Sequence, residues 1–591
     1  QVTPPEQPTL TKQLSSTSNQ IDIIETPTKT GATPNVLISE DFPVSSGIII
    51  LSLLDGNYFH LFAYHPQTLP LTHITEGNWN DIDPQISPDG TRLAFSSQRN
   101  GFWDIYIMDL STGNLINLTD TPEFDGSPTW SPDNQWLAYE SYMEGNIEIK
   151  IISAVDLTQN PLRLTNDPAI DRSPSWSPLG RVIAFVSTRS GDEEIWLAHL
   201  DESDMRFKNI SLNPNDNDRN PAWSPDGEFL AWSSDINGFA YILRSDLDSK
   251  ERSVHNIGTG VRPLFSPDGT ILLAEMQSPN QTALGGYSIE TGNLVFPPDF
   301  VQSQIRGFDW ETGIFTELVL GLVSSKSPFS ETPLWQPEIT LLPAPPSGRY
   351  RVVPLDEISA PLPYLHDAVD EAFQSLRLQT ELEAGWNYLD SLENAYVPLT
   401  EPPSPNMEQD WLYTGRSFAA NPLPLYASWL TIVKENINGQ TYWRLYLKAR
   451  YQDGSQGEPL RKQPWDISAR YSGDPLTYEL GGKAGQIPEG YWVDFTEIAL
   501  RFGWKRLPAL NNWRTYFSGA RFNQFVMYGG LDWISAMSEL YPPEALATTT
   551  RVPTYTLTSS PTPEKYTPAT PTLSLTPSET PTVHPTWTSS P

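Results

Sequence analysis

The stretch SPSWSPLGRVIAFVS, residues 173–187, decides the fold, because the chain repeats it with small changes. DPQISPDGTRLAFSS begins at Asp83, SPTWSPDNQWLAYES at Ser127, NPAWSPDGEFLAWSS at Asn220 and RPLFSPDGTILLAEM at Arg262. Each reads as two strands joined by a tight turn. Ser-Pro-Asp-Gly places Ser at i, Pro with its preset φ at i+1 and Gly at i+3 of a type I turn. After the turn Leu93 and Phe95 alternate with Ala94 and Ser96, and Ile183 and Phe185 with Ala184 and Val186, so one strand face is bulky and the other small.

The turn serines Ser87, Ser131, Ser177, Ser224 and Ser266 are 44, 46, 47 and 42 residues apart. A period in the forties built of strands is that of a propeller blade of four antiparallel strands. Third strands read from WDIYIMDL (103–110), EIKIISAV (148–155) and EEIWLAHL (193–200), and fourth strands from LINLT, LRLT and KNIS. Residues 47–75 offer three strands without the turn, whereas IRGFDWETGIFTELV (305–319) reads as a decayed first hairpin with Trp310 at the repeat Trp position. Joining these ends in one blade predicts a six-bladed ring closed by its own termini, which removes exposed sheet edges. Either end could supply the second strand of that blade.

LTNDPAIDRSPSWSPLGRVIAFVSTRSGDEEIWLAHLD, residues 164–201, resembles the TolB-type propeller repeat. The resemblance covers about residues 47–322. It implies a six-bladed propeller of the kind found in the bacterial periplasm or on secreted proteins, and protein binding at a channel mouth. The chain departs from TolB by lacking the small α/β domain before the propeller and by carrying a large domain after it.

Composition bounds the function. The 591 residues carry 71 Asp/Glu against 37 Lys/Arg, a formal charge of −34, which argues against a nucleic-acid partner. Cysteine is absent, so folding uses no disulfide. Residues 1–46 are a Thr/Pro/Ser-rich arm without an apolar run, and residues 548–591 hold 15 Thr, 9 Pro and 6 Ser. Both tails are too poor in apolar groups to build a core and are expected to be disordered. No window approaches the length of an apolar membrane span. An N-terminus at Gln1 and two such arms around a folded middle predict an exported protein, periplasmic, extracellular or at the cell surface.

Within the repeat, Asp81, Asp125, Asp171 and Asp218 each lie three residues before the repeat proline, and Gly260 takes that place in the fifth unit. Symmetry would gather them near one channel mouth, where a carboxylate ring could hold a hard cation such as Ca2+ or steer a basic partner segment. The neighbouring Arg172 and Arg219 would neutralise part of that ring. The same position also suits an Asp that accepts backbone N–H bonds and stabilises its own loop, and its recurrence in the repeat favours this use.

Residues 323–360 read as a linker and 361–547 as a separate α+β domain of no recognised family. Val369, Phe373 and Leu376 mark one helix face. Asn438-Gly439 suits a type I′ turn between two strands over 429–450, and further helices start near Asp494 and Asp532. Gly415-Arg416-Ser417-Phe418-Ala419 lacks the second glycine of a nucleophile elbow, and the histidine of the domain, His366, precedes the serine, so a Ser-His-Asp peptidase does not fit. Without cysteine or HExxH, a histidine-ligated zinc enzyme motif is missing too. Asp466, Glu479, Asp494, Glu497 and Asp532 could include a glycosidase acid/base pair, with ten tryptophans from Trp335 to Trp533 as sugar platforms. Asp494 with Glu497, and Asp532, equally read as helix N-caps. The expectation is a non-catalytic scaffold for a protein or cell-envelope component, basic in character. The alternative is a hydrolase of cell-wall or other polysaccharides.

Overall fold

The computed structural model describes residues 47–312 and 350–546, apart from 66–68, 204, 214–215, 248–252, 280, 302–303, 402–406 and 408. The two tails expected to be disordered, the second half of the decayed hairpin and most of the expected linker lie outside the described residues.

The repeats form six four-stranded antiparallel sheets. Five are continuous in sequence. Their innermost strands are Asp81–Ile86, Asp125–Trp130, Asp171–Trp176, Asn217–Trp223 and Val261–Phe265. The sixth is the composite blade, with order Ile305–Glu311, Ile48–Asp55, Tyr58–His65 and Leu69–His73. The N-terminal segment therefore supplies the second strand, and the later segment contributes the innermost one, with Trp310 opposite Ile49.

Packing between blades follows the bulky-and-small alternation. Ala63 of the composite blade lies with Leu93 and Phe95 of the first full blade, and Ala94 with Leu137 and Tyr139 of the second. Ala138 lies with Ile183 and Phe185, and Ala184 with Leu230 and Trp232. An alanine on one sheet thus makes room for an aromatic or branched side chain on the next. Each fully buried Phe contributes about 1.5–3 kcal/mol. Hydrogen bonds add register between blades: Trp130 Nε1 donates to the Gln85 carbonyl (3.1 Å), Trp223 Nε1 to the Ser175 carbonyl (3.0 Å), and Trp176 N to Thr129 Oγ1 (3.1 Å). At the closure Asp309 takes the Thr129 role and accepts Ile86 N at 2.7 Å.

The turns form as expected. Gly90 N donates to the Ser87 carbonyl at 2.7 Å, and Gly90, Gly227 and Gly269 have φ near +70° (70, 73 and 68°), where a side chain would be strained.

The α+β domain has two four-stranded sheets of its own. Its helix Asp370–Ala384 buries Phe373 and Leu376, with Val369 as N-cap residue. The hairpin Leu430–Ile437 and Gln440–Lys448 turns through Asn438 and Gly439, whose φ values of 52° and 76° are those of a type I′ turn. The first described strand of the domain, Val352–Pro354, pairs with Tyr364–His366, and Leu355 and Ile358 are buried. The domain thus begins inside the stretch 323–360 read as a linker. Its prolines and the mere two apolar residues of the strand hide it. Among the described residues no helix is long and apolar enough to cross a membrane.

Candidate functional site

Every innermost strand enters the ring through a bulge. The residue before the repeat proline has left-handed φ in all five units: Asp83 51°, Ser127 48°, Ser173 52°, Asn220 55° and Arg262 51°. The ladder slips one step there, as between Ile82 and Gln85. Gly307, with φ 124°, holds this place in the composite blade. These five non-glycine residues line one end of the channel and enclose, with the α+β domain above them, a cavity of about 980 Å3. Ten Lys/Arg and nine Asp/Glu line it, so the cavity wall is nearly neutral although the chain is strongly acidic.

The α+β domain closes this mouth. Phe59, Ile82, Trp103 and Phe124 of the propeller share one apolar core with Phe373, Trp443, Tyr491 and Phe495. Around that core Arg306 of the composite blade meets Glu458 (2.5 Å) and Glu497 (3.1 Å), and Arg461 meets the fully buried Glu140 (2.9 Å). Gly490 N donates to Tyr142 Oη (2.6 Å), Arg501 Nη1 to the Asn57 carbonyl (3.3 Å) and Arg506 Nη2 to the Pro279 carbonyl (2.8 Å). Burial opposes ionisation of Glu497, yet Arg306 and Arg501 outweigh it and hold its carboxyl at about 2.

The aspartates singled out by symmetry sit within their own blades at this end, all fully buried. Asp81 pairs with Arg99 (2.9 Å) and Asp171 with Arg189 (2.6 Å). Asp125 accepts Thr121 Oγ1 (3.0 Å). Asp218 lies beside the Ser234 and Ser211 hydroxyls. Burial pushes Asp125 and Asp218 up to about 6. Their oxygens do not converge on one ion position within the described residues. Arg172 and Arg219 both close on Glu193, Arg172 at 2.6 Å. Glu193 is buried too, but Arg219 and Arg172 hold it at about 2.

Of the five candidate carboxylates of the α+β domain, Asp466, Asp494, Glu497 and Asp532 have local capping roles or arginine partners. Asp466 accepts Ser468 N and Ala469 N at a 3-10 helix start, and Asp532 accepts Ser535 N (2.7 Å). Asp494 caps the helix Phe495–Arg501 through Glu497 N and pairs with Arg444 at 2.5 Å. Glu479 is exposed on the short helix Pro475–Leu480. Ser417 lies in a strand and donates its hydroxyl to the Phe525 carbonyl (2.8 Å), so GRSFA is not a strand-to-helix elbow. His366 is fully buried, and burial together with Arg416 pushes it down to about 3.

The innermost strands leave the covered mouth and end at the Ser-Pro turns, which rim the opposite mouth. Four turn carboxylates, Asp89, Asp133, Asp226 and Asp268, are exposed there. Each is fixed by its own turn serine, at 2.6, 2.5, 2.5 and 2.7 Å. Leu179 stands in the third turn, 72% exposed. The repeat itself carried this signal, since the turn Asp recurs as regularly as the Asp three residues before the proline.

Comparison with known proteins agrees with this architecture. The model of the TolB beta propeller domain matches residues 66–156 and 143–295. The Tol-Pal system protein TolB of Desulfosudis oleivorans is 37% identical over 70 residues, 12% of this chain and 15% of that protein. The uncharacterized peptidase YuxL of Bacillus subtilis is 37% identical over 82 residues, 14% of this chain and 12% of that one. The matched stretch thus spans a small fraction of either relative. The crystal structure of TolB from Acinetobacter baumannii aligns with 45% of this chain and 67% of its own, at 22% identity and a TM-score of 0.41. The repeat region of this chain, with its turn motif, its six blades and its composite closure, is a TolB-like β-propeller.

Proposed function

We propose that the protein is an exported, non-catalytic scaffold that binds a protein or cell-envelope component of basic character on the mouth rimmed by the Ser-Pro turns. A TolB-like propeller is at a coarse level a protein-interaction scaffold. The observation that carries the finer reading is the closure of the other mouth by the chain's own α+β domain, through a shared apolar core and buried ion pairs. The mouth first favoured for docking is thereby occupied, and Asp81, Asp125, Asp171 and Asp218 are fully buried. The opposite rim offers four exposed carboxylates in fixed positions, with an exposed leucine in the remaining Ser-Pro turn, on a molecule whose net charge of −34 steers cationic partners.

The test is binding of an envelope extract to the immobilised full chain, with the captured protein mapped by cross-linking. Cross-links clustered on the turn rim, and capture lost when Asp89, Asp133, Asp226 and Asp268 become Lys together, support the reading. Cross-links confined to the α+β domain overturn it. A polysaccharide or peptidoglycan zymogram of the full chain addresses the hydrolase alternative: clearing abolished by Asp466→Asn or Asp494→Asn would replace the scaffold reading.

A further inference from the structure

Three of the seven histidines in the chain fall within fourteen residues, at 60, 65 and 73, on the composite blade. Two of them meet a carboxylate. Asp55 ends the strand Ile48–Asp55, His60 lies on Tyr58–His65 and His73 ends Leu69–His73. Asp55 Oδ2 is 3.1 Å from His73 Nε2 and 3.6 Å from His60 Nδ1, and one donor atom from each residue lies within 4.8 Å of the other two. The side chains are 10, 8 and 7% exposed for Asp55, His60 and His73.

The hydrogen bonding fixes what His60 presents. Its Nε2 stands 2.9 Å from the Gly77 carbonyl, an acceptor, so Nε2 carries the proton. The Nδ1 lone pair of the neutral ring then faces the Asp55 carboxylate, and this buried nitrogen has no hydrogen-bond partner. Two electron-rich atoms held face to face call for a cation between them. A proton on Nδ1 would serve the His60 and Asp55 pair, and His73 Nε2 already lies within hydrogen-bond distance of Asp55 Oδ2, whereas one metal ion would take a lone pair from both rings and the carboxylate together. Tetrahedral coordination with bonds of about 2.0–2.1 Å sets donor atoms about 3.3 Å apart, close to the two distances found. The Gly77 carbonyl is the kind of outer partner that orients a metal-bound imidazole. The ring of His73 is steadied by Phe62, with centroids 4.2 Å apart.

We propose that Asp55, His60 and His73 form a binding site for a divalent first-row transition metal such as Zn2+. Two imidazole nitrogens and one carboxylate suit such an ion, whereas Ca2+ and Mg2+ prefer all-oxygen sets. The three ligands come from three neighbouring strands of the blade that closes the ring. Its outermost strand is held by three residue pairs, Phe62 with His73, Ala63 with Thr72 and His65 with Leu69. The ion would clip that strand to the other two and lock the closure.

The test uses the metal-stripped full chain. Titration calorimetry with Zn2+ should give one ion per chain with a Kd below about 10 μM. Zn2+ should raise the melting temperature by about 2–5 °C, reversibly with chelator, while Ca2+ leaves it unchanged. His60→Gln and His73→Gln should each weaken binding by about 100-fold or more, and His65→Gln should not. Zinc binding that survives both substitutions, or no stoichiometric binding, overturns the proposal. Should those variants fail to fold, pulsed EPR of the parent loaded with one equivalent of Cu2+ decides: two coupled imidazole nitrogens support the site, and one or none refutes it.

Discussion

Replacing Arg306 by Met tests how the propeller holds its α+β domain. Arg306 reaches Glu458 at 2.5 Å and Glu497 at 3.1 Å, with side chains 22, 23 and 8% exposed for the arginine and the two glutamates. Removing one partner of a fully buried ion pair costs about 3–5 kcal/mol, because the other charge is left unpaired. Here neither glutamate is abandoned. Glu497 keeps Arg501 at 2.8 Å, and Glu458 retains Arg461 at 3.8 Å. Methionine also preserves the apolar stem beside Phe59, over whose ring the guanidinium lies at 5.7 Å. The expected loss is therefore nearer the low end, about 2–3 kcal/mol, against the 0–1 kcal/mol of an exposed pair. Urea denaturation measures it, and native-state hydrogen exchange should show faster opening of both Ile305–Glu311 and Phe495–Arg501. A cycle with Glu497→Gln should return a coupling of about 1–2 kcal/mol. A loss below about 0.5 kcal/mol, or faster exchange confined to one of the two segments, would refute the reasoning.

Three further predictions concern stability. Burial raises Asp125 and Asp218 to about 6 when folded, above an unfolded value of about 3.9, so the folded state binds the proton first. Their effect favours the fold at low pH and is lost as pH rises from about 4 through 6; Asp125→Asn should raise the urea midpoint at pH 7.5 and leave it nearly unchanged at pH 4.5. Glu193 and Glu497 act in the opposite sense: their folded values of about 2 lie below the unfolded one of about 4.3, so their contribution is present above that value and fades as pH falls towards 2. Thermal melts of Glu193→Gln should lose their excess acid sensitivity between pH 4.5 and 2.5. Ala94→Leu inserts bulk where Tyr139 and Leu137 fill the space between blades, and should cost about 1–3 kcal/mol by urea denaturation.

The propeller was legible because its signals are local and repeated. Ser-Pro-Asp-Gly fixes a turn by itself, and the alternation of Phe95 with Ala94 states how neighbouring sheets mesh. The composite blade was legible as a shortage of strands at each end, though pairing alone shows that Ile48–Asp55 sits beside Ile305–Glu311. The helix and hairpin of the second domain followed from period and turn chemistry at Phe373 and Asn438. The covered mouth was hidden because the contacts that make it are long-range. Arg306 with Glu497 and Tyr142 with Gly490 join residues 191 and 348 positions apart, and nothing local marks either partner. The left-handed residues before the repeat prolines were hidden as well, since Asp83, Ser127, Ser173, Asn220 and Arg262 are of four types and no single one marks the position. Asp55, His60 and His73 converge only once three strands are in register.

The absence of cysteine allows the central claim, one mouth sealed by the chain's own domain and the other left uncovered by the described residues, to be measured directly. Asp83→Cys places a lone thiol at the bulge under the α+β domain, and Asp89→Cys places one on the turn of the same innermost strand. With a maleimide carrying a large polyethylene glycol chain, the thiol at 89 should react at the rate of the unfolded protein and the thiol at 83 many times more slowly until denaturant is added. Equal rates at the two positions in the native protein would contradict the account.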